Sequence, residues 1–186
     1  GVIRRGREKI LNWPSVTSVL NPFADFSHVP PDRLEHAAAR GTKVHDLCAR
    51  IARGEYVIDL DPETAGYTAS FMAWWARCAA EALLIEERLI DEALGFHGQP
   101  DLIVRLKHGE IALIDLKTPV TNQRSWLLQI AAYRHLCVQA GHKIDKAGTL
   151  QLSPEGKTAR MKWADDSARD FNVFLSALNC YRYFNN

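Results

Sequence analysis

The sequence has few cysteines, no long hydrophobic run and no excess of charge of either sign, and each shortage excludes a class of protein. Its four cysteines, Cys48, Cys78, Cys137 and Cys180, are far apart and include no CxxC pair. This spacing suits neither a zinc ribbon nor a compact disulfide framework, so we expect free thiols in a reducing compartment. No apolar stretch has the length of a membrane span and no signal peptide is recognisable, so we expect a soluble intracellular protein with no membrane partner.

Charge and size narrow the class further. Lysine and arginine number 23 against 22 aspartates and glutamates, which gives a net charge of +1. This balance argues against a uniformly basic coat but permits a local basic groove. The basic cluster at 4–9 is interpreted as a solvated arm, with phosphate contact as the alternative. With 186 residues and 47% hydrophobic content, we expect one domain spanning 1–186, with an N-terminal helical segment at about 14–80.

Hydrophobic periodicity predicts an α/β fold. Helical patterns cover five segments: 13–20, 33–55, 61–82, 125–141 and 167–184. Runs of strand length cover five more: 83–93, 100–106, 110–117, 146–152 and 158–163. The resulting order indicates a mixed β-sheet flanked by helices.

Two carboxylates and an ammonium stand at the ends of one predicted hairpin. Its loop, 107–109 with Gly109 in the left-handed conformation, is a common three-residue connection and would place Asp101 opposite Asp115. Opposed residues share a face of the sheet, with Cβ atoms about 5 Å apart. Lys117 lies two residues beyond Asp115 and is therefore expected on the same face. The sequence predicts that the three side chains meet, since only a slip of register would separate them.

This trio has a chemical interpretation and a structural alternative. Two ionised carboxylates at such a separation repel one another unless a cation lies between them. Oxygen ligands with an incomplete shell suit Mg²⁺ or Mn²⁺, which can stabilise charge on a phosphate oxygen and activate a bound water. A neighbouring lysine can orient that water. The alternative is an aspartate that caps a turn and an exposed ion pair that contributes little to stability.

Pro100-Asp101 followed by Asp115-Leu116-Lys117 resembles the PD-(D/E)XK nuclease superfamily, in which a strand with Pro-Asp precedes one with Asp/Glu-x-Lys. The resemblance implies a restriction-endonuclease-like core of order αβββαβ. It also implies Asp101 and Asp115 as metal ligands, the Leu116 carbonyl as a further ligand and Lys117 as the residue that positions the attacking water. The implied cofactor is Mg²⁺ or Mn²⁺.

Two helical motifs narrow the resemblance to the RecB-like exonuclease branch, which also includes phage and mitochondrial genome-maintenance nucleases. "RGTKVH", residues 40–45, is similar to the histidine motif of that branch and implies that His45 is a metal ligand. "QIAAY", residues 129–133, is similar to its Gln-x-x-x-Tyr motif and implies that Gln129 and Tyr133 hold the substrate strand or organise the site. The alternatives are a histidine flanking an apolar helix face, and a rim glutamine with a half-buried tyrosine.

Two further segments extend the resemblance. Glu86, in the predicted strand before "GFHGQPD", resembles a glutamate with which relatives hold an outer metal shell or the lysine, and Glu87 is a competing choice on the other strand face. "PSVTSVL", residues 14–20, resembles the N-terminal segment of phage-type members. Phe96 and Trp126 flank the predicted site and are our candidates for stacking on unpaired bases.

The resemblance implies a DNA exonuclease that acts on single strands or duplex ends and leaves a 5′-phosphate and a 3′-hydroxyl, in DNA repair, recombination or phage DNA processing. DNA is the implied partner, and any helicase or recombination partner would be a separate protein because no Walker A sequence is present. The implied location is the cytoplasm, bacterial or phage-encoded, with a mitochondrion as the alternative.

Rival functions are a structure-specific endonuclease on the same fold and an inactive DNA- or protein-docking module. Cys180 stands alone near the C-terminus, so the iron–sulfur cluster of some members is not implied.

Overall fold

The computed structural model describes residues 13–24, 29–119 and 123–185, so the basic cluster at 4–9 lies outside the described residues. The α-helices in these ranges are α1 (Val16–Leu20), α2 (Pro31–Ala52), α3 (Ala65–Cys78), α4 (Ser125–Gln139) and α5 (Ser167–Asn185), and a short 3₁₀ helix, Asn21–Phe23, follows α1. The strands are β1 (Ala79–Ile85), β2 (Leu89–Asp91), β3 (Phe96–Gly98), β4 (Leu102–Leu106), β5 (Ile111–Lys117), β6 (Lys146–Gln151) and β7 (Arg160–Trp163).

The main sheet has five strands in the order β1-β4-β5-β6-β7. Strands β5 and β6 are parallel and are connected through α4, whereas the other neighbouring strands are antiparallel. The expected order αβββαβ is therefore confirmed by α3, β1, β4, β5, α4 and β6, and the sheet is mixed as expected. A separate two-stranded sheet, β2-β3, is inserted between β1 and β4.

Strand alternation divides the core into two layers. Ile103 and Leu113 point to one face of the sheet and pack with residues of α4 and α5. Leu102 and Ile114, their neighbours in the chain, point to the other face and pack with residues of α2 and α3. The central strands β4 and β5 are buried on both faces because helices cover both, which explains why they read as continuous apolar runs.

The predicted hairpin has the expected register. Leu102 pairs with Ile114 and Arg105 with Ile111, so the same register carried one residue further places Asp101 opposite Asp115. Gly109 has a φ of 98°, the left-handed value that the three-residue loop requires. The short helix near the N-terminus is also confirmed, because the Ser15 hydroxyl caps α1 by accepting a 3.0 Å hydrogen bond from the N–H of Ser18.

Two predicted element boundaries are wrong. The second long helix begins at Ala65 rather than Asp61 and ends at Cys78, so residues 79–82 belong to a strand. Alanine favours helix, but Ala79 pairs with Leu106 across the sheet and this pairing decides the conformation. The predicted strand at 83–93 is interrupted, because Glu86 has a φ of 48° and turns the chain out of β1 before β2 begins.

Two further expectations concern membranes and thiols. Within the described ranges, none of the helices combines the length and the apolar character needed to cross a bilayer. The four cysteines are free thiols, with Cys48 and Cys137 buried and Cys180 exposed.

Candidate metal centre

His45, Glu86 and Asp101 converge from three different elements. Each offers one ligand atom, and the three atoms lie within 4.8 Å of one another. His45 belongs to α2, Glu86 directly follows β1, and Asp101 directly precedes β4. The antiparallel pairing of β1 with β4 brings Glu86 beside Asp101, and the N–H of Glu86 donates a 2.9 Å hydrogen bond to the Asp101 carbonyl. The group is therefore assembled by sheet pairing together with one helix.

The Asp101 carboxylate is held at both oxygens. Oδ1 lies 3.1 Å from Nδ1 of His45, and Oδ2 accepts a 2.6 Å hydrogen bond from the N–H of Leu116. Burial raises the pKa of Asp101, but the attraction of His45 and these hydrogen bonds outweigh burial, so the pKa lies below its ordinary value. Burial lowers the pKa of His45, but the Asp101 carboxylate more than offsets this and raises that pKa to about 9.

Asp115 is buried on the neighbouring strand, with 2% of its surface exposed. Its Oδ2 lies 2.6 Å from Nζ of Lys117, yet no described residue donates a well-directed hydrogen bond to that oxygen. Burial raises the pKa of Asp115, and the nearby Asp101 carboxylate adds to this, although Lys117 opposes the shift. The Lys117 ammonium thus supplies the positive charge that a buried carboxylate needs, although Oδ2 of Asp115 lacks a well-directed hydrogen bond.

Lys117, Gln129 and Tyr133 form a connected chain of polar side chains. The Lys117 ammonium donates a 2.8 Å hydrogen bond to Oε1 of Gln129, whose amide nitrogen donates a 3.1 Å hydrogen bond to the Tyr133 hydroxyl. The two α4 residues are one helical turn apart and so share a face. Burial holds the pKa of Tyr133 well above its ordinary value, so its hydroxyl stays protonated. This chain fixes the position of the Lys117 ammonium beside Asp115.

Two glycines allow neighbouring elements to approach these residues closely. A Cβ added to Gly98 would lie 2.6 Å from Cε1 of Tyr133, so only glycine lets the ring lie against β3. A Cβ added to Gly41 would lie 3.6 Å from Oγ1 of Thr118, which follows the end of β5. Helix α2 therefore approaches the Lys117 end of the sheet closely.

The structure gathers most of the residues named from the sequence. His45, Glu86 and Asp101 form one group, Asp115 and Lys117 form an ion pair on the adjacent strand, and Gln129 and Tyr133 contact that lysine. Leu116 takes part through its N–H, which binds Asp101.

The sequence left the choice between Glu86 and Glu87 open, and it misplaced two aromatic residues. Glu86 is half-buried next to Asp101, whereas Glu87 is exposed. Phe96 is completely buried and packs on Phe174, so the prediction that it stacks on bases is wrong. The same prediction for Trp126 is wrong as well, because only 7% of its surface is exposed and its ring lies 5.4 Å from Nζ of Lys117. The contact between Trp126 and Lys117 could not be predicted from the sequence, because a spacing of nine residues across a loop matches no helical or strand period.

The donor set fits a hard divalent cation. Glu86 and Asp101 offer carboxylate oxygens, and His45 offers a ring nitrogen, a combination that Mg²⁺ or Mn²⁺ accepts. Burial and the negative charge of Asp101 raise the pKa of Glu86, so this carboxyl lies in a site that a cation would stabilise.

Comparisons with known proteins give only distant likenesses. No family model and no curated protein matches the chain. Among solved structures, the chain is similar to SSO0001, with 15% identity and a TM-score of 0.40, over 55% of this chain and 51% of that one. It is also similar to an alkaline exonuclease. That protein, LHK-Exo from Laribacter hongkongensis, is 15% identical, with a TM-score of 0.43 over 96% of this chain and 95% of its own. The chain thus spans about half the length of SSO0001, and neither likeness assigns an activity to it.

Proposed function

We propose that this protein is a metal-dependent DNA exonuclease that hydrolyses phosphodiester bonds on single strands or at duplex ends. The observation that carries the proposal is the convergence of His45, Glu86 and Asp101 next to the buried Asp115–Lys117 pair. Carboxylates that need a cation, beside a lysine held in place, are the groups that metal-assisted phosphodiester hydrolysis requires.

Mg²⁺ or Mn²⁺ would be held by His45, Glu86 and Asp101, with Asp115 and the Leu116 carbonyl as further ligands. When bound, the metal supplies positive charge that stabilises the charge growing on a phosphate oxygen and lowers the pKa of a bound water. The hairpin register supports the role of Leu116. Leu102 pairs with Ile114, and the same register extended by two residues would place Pro100 opposite Leu116. Proline has no N–H, so the Leu116 carbonyl receives no hydrogen bond from the opposite strand and is available to a metal.

The remaining roles belong to the polar chain on α4. Lys117 would orient the attacking water, and the hydrogen bond to Gln129 keeps its ammonium in place. Tyr133 holds the Gln129 amide by accepting its hydrogen bond. The motif resemblance supports a role in DNA repair, recombination or phage DNA processing in the cytoplasm, with any helicase or recombination partner a separate protein.

The test uses end-labelled single-stranded, duplex and circular DNA incubated with Mg²⁺, Mn²⁺ or EDTA. Metal-dependent loss of linear DNA alone is expected, and Lys117→Ala should lower the rate roughly 100-fold or more. A matched control is Lys143→Ala, because Lys143 is exposed and pairs with Asp145 just before β6, at the other end of the sheet. Cleavage of circles would favour the structure-specific endonuclease, whereas DNA binding without cleavage in either metal would favour the docking module.

A further inference from the structure

The edge strand β7 carries two cations that are aligned with the active-site strand. Two rows of paired residues cross the sheet from β5 to β7: Lys117–Gln151–Arg160 and Asp115–Thr149–Lys162. Paired residues on neighbouring strands lie on the same face of a sheet. Arg160 and Lys162 therefore lie on the face that carries Asp115 and Lys117, two strands and roughly 10 Å away.

Neither of these cations is used elsewhere in the described ranges. Arg160 and Lys162 are both exposed, and neither side chain has an ion-pair or hydrogen-bond partner among the described residues. Other cations at the sheet are paired: Arg105 with Glu81 and Lys146 with Glu110. Arg160 and Lys162 therefore place unpaired positive charge on the β7 edge of the sheet, on the same face as Lys117.

A cavity of about 210 Å³ lies next to Arg160, at the connection between β6 and β7. Its lining includes the side-chain donors of Lys157, Thr158 and Arg160, together with Gln151. The Gln151 amide donates a 2.7 Å hydrogen bond to the carbonyl of Pro119, two residues after Lys117. Donors of this kind recognise phosphate oxygens. The cavity also contains a carboxylate, Glu155, whose nearest oxygen lies 3.9 Å from Nζ of Lys157.

We propose that Arg160 and Lys162 bind phosphates of the DNA strand that flank the scissile phosphate, so that β7 guides the substrate backbone into the metal centre. This inference rests on the proposed function, since it places the substrate relative to that centre. The competing role for these cations is to keep an edge strand from pairing with another chain. That role requires charge of either sign, but it requires neither alignment with Lys117 nor a cavity lined with donors.

The test measures the affinity of the protein for a fluorescently labelled single-stranded oligonucleotide in EDTA, over a series of salt concentrations. Arg160→Ala is expected to weaken binding about tenfold and to reduce the slope of log affinity against log salt by about 0.7 to 1. Lys162→Ala should give a similar loss, and Arg160→Glu a larger one. The matched control is Arg77→Ala, because Arg77 is an exposed cation at the end of α3, where the chain enters the far end of the sheet.

Arg160→Glu separates the two roles, because it keeps a charge on the edge but reverses its sign. A protein with this change that binds DNA with the affinity and salt slope of the unaltered chain would overturn the inference. Failure of the proposed function is distinguishable from this result. If the unaltered protein cleaves nothing but the Arg160 variants lose DNA binding, β7 is still the backbone contact. If the protein cleaves DNA and the Arg160 and Lys162 variants bind and cleave it normally, only the inference about β7 is wrong.

Discussion

The Lys117 ammonium donates a 2.8 Å hydrogen bond to Oε1 of Gln129, which joins the last residue of β5 to the helix that follows it. The same ammonium lies 2.6 Å from the Asp115 carboxylate. Its position is thus determined by one strand neighbour and one helix residue. Under the proposed function, Gln129 would act by positioning the lysine.

Replacing Gln129 should therefore slow catalysis without abolishing DNA binding. We expect Gln129→Leu to lower kcat roughly 10- to 100-fold, because Lys117 loses its acceptor while the proposed metal ligands are unchanged. KM should change much less than kcat. Gln139→Leu is the matched control, since Gln139 is exposed at the last residue of α4. Steady-state cleavage of a labelled oligonucleotide gives both constants, and an unchanged kcat would contradict the role.

Replacing Glu86 by glycine should stabilise the fold but weaken metal binding. Its φ of 48° lies in the left-handed region, which costs a residue with a side chain roughly 1 kcal/mol relative to glycine. Glu86→Gly is expected to raise the free energy of unfolding by up to about 1 kcal/mol and to weaken Mn²⁺ binding at least tenfold. Denaturant unfolding and calorimetric titration with Mn²⁺ measure the two effects.

Glu87→Gln provides the comparison for Glu86, because Glu87 is the exposed next residue. It should leave Mn²⁺ affinity unchanged. Equal loss of affinity in the two variants would show that charge near the site, rather than the Glu86 carboxylate itself, attracts the metal.

The pair formed by buried Asp91 and half-buried His135 should make stability depend on pH. Burial raises the pKa of Asp91, but hydrogen bonds from the Leu94 N–H at 2.7 Å and from His135 at 2.7 Å outweigh it, leaving the pKa below its ordinary value. A carboxyl with a lowered folded-state pKa stabilises the fold above its unfolded pKa of about 4 and loses that contribution as the pH falls towards the folded value. Asp91→Asn should thus lower the free energy of unfolding by roughly 1–3 kcal/mol at pH 7, and by less in acid.

Urea unfolding between pH 3 and pH 7 tests this prediction. Glu92→Gln, at the exposed next residue, is the control and should change stability little at any of these pH values. A difference between the unaltered protein and Asp91→Asn that stays constant across the range would rule out linkage through this carboxyl.

The close approach of Gly98 to Tyr133 should make Gly98→Ala damaging. The added methyl group would lie 2.6 Å from Cε1 of the Tyr133 ring and 3.0 Å from a Leu136 methyl carbon. We expect a loss of about 1–3 kcal/mol in stability. Activity should fall as well, because the hydroxyl of the displaced Tyr133 ring no longer accepts the hydrogen bond from Gln129. Gly41→Ala is the control for adding a methyl group to a glycine. Its methyl group would lie 3.6 Å from Oγ1 of Thr118, an ordinary contact, and alanine favours helix, so the melting temperature should rise slightly.

Much of the site could be predicted because its geometry is local in sequence. A three-residue loop with Gly109 sets the register of one hairpin, and this register places Asp101 near Asp115 and Lys117. A spacing of four residues in a helix places the Gln129 and Tyr133 side chains on one face. These relationships depend on turn geometry and helical period, which the sequence by itself determines.

Contacts between distant segments decided the rest. Residues 79–82 favour helix by composition, but pairing with β4 makes them a strand. The left-handed turn at Glu86 brings that glutamate, and not Glu87, to Asp101. Packing of α4 and α5 against the sheet buried Phe96 and placed Trp126 over Lys117. Periodicity describes each segment alone, whereas burial and metal-ligand geometry depend on which segments meet, and only the tertiary structure decides that.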